Sequence, residues 1–217
     1  FGVAGYSVFQ GLEVYRHKVR RFAPAVVVIA FGAFNEAAPA DPPAEERARV
    51  TQAPANQILF QLDAALLRFR WYQLLRFAVA ELRGERAIAE RNMERYEANF
   101  ARWEAGEGWR PEVDVESFGR LLAALVRESQ ADGARVLLVS PPRSPDVEGR
   151  LPALLEYTRQ IQAVGERTGV PVCPVRHAFR EAGEPLLIDS MHPTARGHQR
   201  YAELVAACLR RDGIVGD

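Results

Sequence analysis

Three short apolar runs, spaced by helical stretches, constrain the fold more than any other feature. They are residues 25–30 (Ala-Val-Val-Val-Ile-Ala), 136–139 (Val-Leu-Leu-Val) and 170–175. The first two are continuous rather than alternating in polarity, the mark of strands covered on both faces in a parallel sheet. Leu12, Tyr15, Val19 and Phe22 recur at helical spacing ahead of the first run, and Pro24 is expected to stop that helix. Phe118, Leu121, Leu122, Leu125 and Val126 mark a helix ended by Asp132-Gly133, and Leu151, Leu154, Leu155, Thr158 and Ile161 mark another ended by Gly169. Strand and helix in alternation predict an α/β fold, with a parallel sheet linked by right-handed crossovers. The chain's 217 residues, 48% of them hydrophobic, suffice for the core of one such domain.

A fold built of strand–helix units should not begin halfway through one. Phe1-Gly2-Val3-Ala4-Gly5-Tyr6-Ser7 reads as the end of a strand entering a glycine-bearing turn, so a segment upstream is expected to be missing. At about 39–111 the regular alternation is interrupted. An Ala/Pro-rich stretch there leads into Ile58, Leu59, Leu62, Leu66 and Phe69 at helical spacing, continued by Leu74, Leu75, Ala78 and Leu82 and then by a charged helix. This is longer than an ordinary crossover. It is expected to be a helical insertion within a single domain, serving as a lid, a wall or an extra helical layer.

Lys and Arg number 28, as do Asp and Glu, so no basic field suited to nucleic acid or to a polybasic membrane contact exists. The apolar run at 23–34 is too short to span a bilayer. Cys173 and Cys208 form no CxxC pair and no metal-ligand cluster, which favours two buried apolar thiols.

The chemistry-bearing stretch is Asp189-Ser190-Met191-His192-Pro193. An acid and a histidine three residues apart can share one face, and a carboxylate beside an imidazole fixes its tautomer and stabilises its protonated form. Pro193 suits the first position of a helix. The following run is apolar at His198, Tyr201, Ala202, Val205, Cys208 and Leu209, so the pair is expected on the loop entering the last helix, with His198 on its inner face. The same spacing also suits Asp189 as a helix cap and His192 as a surface histidine. A second loop, Phe31-Gly32-Ala33-Phe34-Asn35-Glu36, follows the first strand, at the strand end where open α/β sheets place their ligands.

Three stretches together resemble the SGNH (GDSL-type) ester hydrolases. Gly2-Val3-Ala4-Gly5-Tyr6-Ser7 is similar to that family's second block, Ala33-Phe34-Asn35-Glu36 to its third, usually Gly-x-Asn-Asp, and Asp189 to Pro193 to its fifth, Asp-x-x-His-Pro. The resemblance implies a three-layer α/β/α sandwich around a parallel sheet (a flavodoxin-like arrangement), here lacking its first strand or strands. It implies His192 as general base, Asp189 as the residue orienting it, and Gly5 and Asn35 as oxyanion-hole donors. Ala33 and Glu36 stand where glycine and aspartate are usual, while the asparagine is kept. The family's nucleophilic serine belongs to a Gly-Asp-Ser block upstream of the second block, and no residue of this chain matches it.

Ser7 has half of a nucleophile elbow but no second glycine, and it serves equally as a turn hydroxyl or an N-cap. Ser140 is followed by Pro141-Pro142, and Ser190 lies between Asp189 and His192, expected to point away from both. His17, His177 and His198 form no metal pair with an acid at ligand spacing. The resemblance thus implies hydrolysis of small-molecule or carbohydrate esters, without metal or cofactor. An acyltransferase using the same residues is the alternative, as is a non-catalytic member binding carbohydrate or a protein partner. A flavodoxin-like nucleotide binder would have the right layers, but no glycine-rich phosphate loop follows any strand. With its first strand edge unpaired, the 217-residue chain by itself is expected to be poorly soluble and inactive.

Overall fold

In the computed structural model, residues 6–32, 35–36, 66, 69–82, 94, 98, 101, 105, 111–182, 185–189 and 191–216 are described. The chain divides into two compact units, Phe1–Ala38 with Arg110–Asp217, and Pro39–Trp109.

In the first unit, three strands form a parallel sheet in the order β1 (Val26–Ile29), β2 (Arg135–Val139) and β3 (Val172–Cys173). Side chains of β2 alternate between two cores. Val136 and Leu138 enter one with Val8, Leu12, Ile29, Phe118, Tyr157 and Ile161. Leu137 and Val139 enter the other with Cys173, Val175, Phe179, Leu186 and Cys208. A strand with a core on each face is the middle layer of a sandwich, which is why its sequence is continuously apolar. The first core is closed by α1 (Val8–Val14), α3 (Val115–Ala131) and α5 (Ala153–Thr168); the second by α6 (Val175–Arg180) and α7 (Ala195–Arg211). The result is the α/β/α architecture with a parallel sheet.

Local chemistry explains the helix boundaries. Asp114 caps α3 by accepting from the Ser117 N–H at 2.8 Å, and α5 ends at Gly169 in the left-handed region (φ 67°). A short helix, α4 (Pro145–Arg150), precedes α5 with Ser144 as its cap. After Val14 the first helix loosens into a π turn (Tyr15–Val19) and a 3₁₀ turn (Arg20–Phe22). It closes one residue before Pro24, where Ala23 takes a left-handed conformation at φ 44°.

Three local expectations are corrected. Thr194 caps α7, accepting from the Gly197 N–H at 2.9 Å, so Pro193 lies outside the helix and bridges to Leu187 instead of taking its first position. His198 and Ala202 are exposed; the inward stripe is Gly197, Tyr201, Leu204, Val205 and Cys208, because the helix seats through its glycine. Cys173 and Cys208 are joined in a disulfide linking β3 to α7. Apolar burial was the right environment, but the two sulfurs meet across a packing contact that no spacing rule reveals.

In the second unit, α2 spans Arg70–Leu82. The ring centroids of Phe69 and Trp71 are 6.3 Å apart and those of Trp71 and Tyr72 5.7 Å. Most of the region expected to be a helical insertion falls outside the described residues.

Candidate active site

The loop from Leu186 to Thr194 is folded back on itself. The Ile188 N–H donates to the His192 carbonyl at 2.8 Å, the Thr194 N–H to the Leu186 carbonyl at 2.9 Å, and Leu187 bridges Pro193. Asp189 and His192 stand at its turn. One Asp189 oxygen, Oδ1, accepts the Met191 and His192 N–H groups at 2.9 and 2.8 Å, while Oδ2 lies 2.7 Å from His192 Nδ1. An ionised carboxylate only accepts, so Nδ1 carries the proton and Nε2 is the basic nitrogen of the neutral ring. Burial works to raise the Asp189 carboxyl. The two N–H donors and the His192 ring outweigh it and hold the group below the ordinary aspartate range. Asp189 therefore caps a turn with one oxygen and faces the imidazole with the other, while the helix that follows is capped by Thr194. The His192 ring itself is 70% exposed, open to an incoming group.

A close approach seats this loop. A Cβ built on Gly197 would come within 2.0 Å of the Leu186 carbonyl oxygen. Only glycine lets the start of α7 press against the chain entering the Asp189 turn.

Asn35 lies beyond the carboxyl end of β1, and its Nδ2 donates to the Tyr6 carbonyl at 3.3 Å. An amide nitrogen has two hydrogens, so this contact orients the group and leaves one hydrogen for another acceptor. Glu36 is buried, and its Oε1 accepts the Val8 N–H at 3.1 Å at the start of α1. Its carbonyl accepts the Val113 N–H at 3.0 Å. Residues 35 and 36 are thus brought against residues 6–8 at the start of α1. Gly5 itself, like Ser190, lies outside the described residues.

Ser7 and Ser140 take other roles. Ser7 is fully buried as the N-cap of α1, with the Gln10 side chain reaching back to its N–H at 2.8 Å and its hydroxyl on Glu112 at 3.0 Å. Burial removes it as a nucleophile. Ser140 is buried at the end of β2, where its N–H donates to the Cys173 carbonyl at 3.1 Å. His17 and His177 face Glu13 and Glu181 on exposed helix surfaces. Among the described residues no group of three or more His, Cys, Asp or Glu is placed to hold a metal ion.

Residues 1–200 match the family model of the GDSL-like lipase/acylhydrolase family. The chain belongs to that family. Its fold is similar to that of a protein assigned as a GDSL-like lipase from Parabacteroides merdae (14% identity, 99% of this chain and 72% of the other, TM-score 0.57). It is also similar to Axe2, an acetylxylan esterase from Geobacillus stearothermophilus (15% identity, 96% and 69%, TM-score 0.55). A lipase/acylhydrolase from Enterococcus faecalis is comparably alike (16% identity, 94% and 71%, TM-score 0.53). No curated protein matches the chain. At the level of the family, then, the GDSL-like chain is an ester hydrolase. Among its described residues, no helix is long and apolar enough to cross a membrane.

Sequence reasoning passed over two parts of this surround. Gly197 gives no signal beyond following Asp189 to Pro193 by four residues. Arg143, buried after β2, gave no signal beyond standing next to Pro141-Pro142.

Proposed function

We propose that the full-length protein hydrolyses carboxylic esters by a Ser-His-Asp mechanism within the single α/β domain, the segment at about 39–111 being an insertion in it. His192 is the general base, Asp189 orients its ring, and Asn35 and the Gly5 N–H hold the oxyanion. The nucleophilic serine comes from a Gly-Asp-Ser segment upstream of Phe1. The observation that carries this reading is the 2.7 Å contact between His192 Nδ1 and Asp189, which leaves Nε2 to accept a proton.

In the first step the serine oxygen attacks the ester carbonyl while its proton passes to His192 Nε2. The C–O bond to the alcohol then breaks, and the imidazolium returns that proton to the departing alkoxide. Water repeats the sequence on the acyl-enzyme and frees the acid. Asp189 remains a carboxylate throughout and stabilises the imidazolium.

Acetylated carbohydrate is the substrate class to test first, since a structural neighbour is an acetylxylan esterase. The test uses the full-length protein with p-nitrophenyl acetate and acetylated xylo-oligosaccharide. Turnover should fall by roughly 10³-fold or more in His192→Ala. Turnover unchanged in that variant would remove His192 from the reaction. Acetyl appearing on a sugar hydroxyl in place of free acetate would make the protein a transferase using the same residues.

A further inference from the structure

We propose that Arg143 is a positioning residue for the oxyanion loop, acting through the Gly32 carbonyl to set the place of Asn35. This rests on the reading of Asn35 as an oxyanion donor.

The Arg143 side chain is 0% exposed, an unusual place for a guanidinium. Its Nη1 donates to the Gly32 carbonyl, and its Nη2 to the Leu154 carbonyl at 3.1 Å and to Thr158 Oγ1. One planar, rigid fork therefore ties the backbone leaving β1 to α5. Among the described residues its Nε has no hydrogen-bond partner, and the ion-pair oxygen it faces, Glu148 Oε1, is 3.6 Å away. Glu148, 5% exposed, also takes the Arg176 guanidinium, and Arg180 at 3.5 Å. Burial pushes the Arg143 guanidinium down and the Glu148 charge works against that. A buried cation whose ion pair is imperfect is often costlier than an apolar side chain filling the same space. What the cation supplies in return is directional: two carbonyl oxygens and a hydroxyl held by one planar group.

The position of Gly32 gives that restraint a consequence. With φ at 101°, Gly32 is in a conformation open to glycine, three residues before Asn35. Glu36 is fixed on the far side of Asn35, through its carboxylate to the Val8 N–H and its carbonyl to the Val113 N–H. Arg143 on Gly32 and these two bonds on Glu36 thus bracket the asparagine. Misplacing a donor by about 1 Å can cost on the order of 100-fold in rate.

The test compares the full-length protein with Arg143→Lys, Arg143→Met, Asn35→Ala and the Arg143→Lys/Asn35→Ala pair. On p-nitrophenyl acetate, Asn35→Ala should lose roughly 100- to 1000-fold in kcat. Arg143→Lys, which keeps the charge but not the fork, should lose about 10- to 100-fold in kcat with KM changed less than about threefold. Added to Asn35→Ala, the lysine should cost less than about threefold more, because the group it positions is already gone. Independent, multiplying losses, or an unchanged kcat in Arg143→Lys, would overturn the proposal.

Hydrogen exchange gives a readout that needs no turnover. The Asn35 and Glu36 amides should exchange at least about tenfold faster in Arg143→Lys while the α3 amides do not change. Equal exchange in both regions would overturn the proposal. Absence of esterase activity in the parent would count against the proposed function alone, with the exchange result still deciding the role of Arg143. Should Arg143→Met fail to fold, the lysine variant carries both measurements.

Discussion

Asp189 shows how much one carboxylate can carry when its two oxygens face different partners. Oδ1 gathers two backbone N–H groups and Oδ2 takes the imidazole, so one side chain both shapes the turn and holds the ring proposed as the base. A carboxyl depressed on folding contributes order that is fully present above the unfolded-state value and is lost as pH falls through the folded one. The Asp189 turn should therefore survive through the ordinary aspartate range, near pH 4, and loosen only below it. A carbon-detected NMR titration of the Asp189 carboxyl measures this directly. A midpoint at or above the ordinary value would contradict the hydrogen-bond pattern. In Asp189→Asn the amide has to turn its nitrogen toward either the N–H groups or the ring. The loss of turnover should then approach the roughly 10⁴-fold seen when such an acid is replaced by its amide.

At the scale of elements, the seat of α7 decides where the Asp189 turn goes. Gly197 lets the helix start lie against Leu186, and Thr194 Oγ1 caps the helix by accepting the Gly197 N–H at 2.9 Å. A methyl group there would meet a backbone oxygen, which cannot swing aside as a flexible side chain does. Gly197→Ala should cost about 1–3 kcal/mol of stability despite alanine's better helix propensity, and should lower turnover because the shift is transmitted to residues 186–194. Paired thermal melts and activity measurements of the variant and its parent test this. A gain in melting temperature would mean that the helix start has room to move. β1 shows the same dependence on neighbours: among the described strands it pairs only with β2, and Val28 is 45% exposed. Its continuous apolar sequence predicts cover on both faces, and that cover is incomplete in the described residues.

Across the whole molecule, the disulfide ties the second core together. It joins β3 to α7 across 35 residues of sequence. Closing a loop of that length stabilises the fold by about 4 kcal/mol in the chain-entropy account. Reduction should lower the melting temperature by roughly 8–16 °C for a domain of this size. Melts with and without dithiothreitol measure it, and equal midpoints would show that packing alone holds α7. Because α7 begins at the Thr194 cap that closes the Asp189 turn, oxidation and site geometry share one element.

What the amino-acid order determined by itself was periodicity and chemistry at short range. The apolar runs specified parallel strands because burial on both faces leaves no room for alternation. Asp189 and His192 could meet because they stand three positions apart. The apolar run at 25–30 placed Asn35 just beyond a strand end. Only tertiary structure decided the contacts made across long separations: Arg143 on the Gly32 carbonyl, Glu36 on the Val8 N–H, and Cys173 bonded to Cys208. Each joins residues 28 or more apart in sequence. Such meetings depend on how whole layers pack, and packing is a property of the assembled core that no local window of sequence contains.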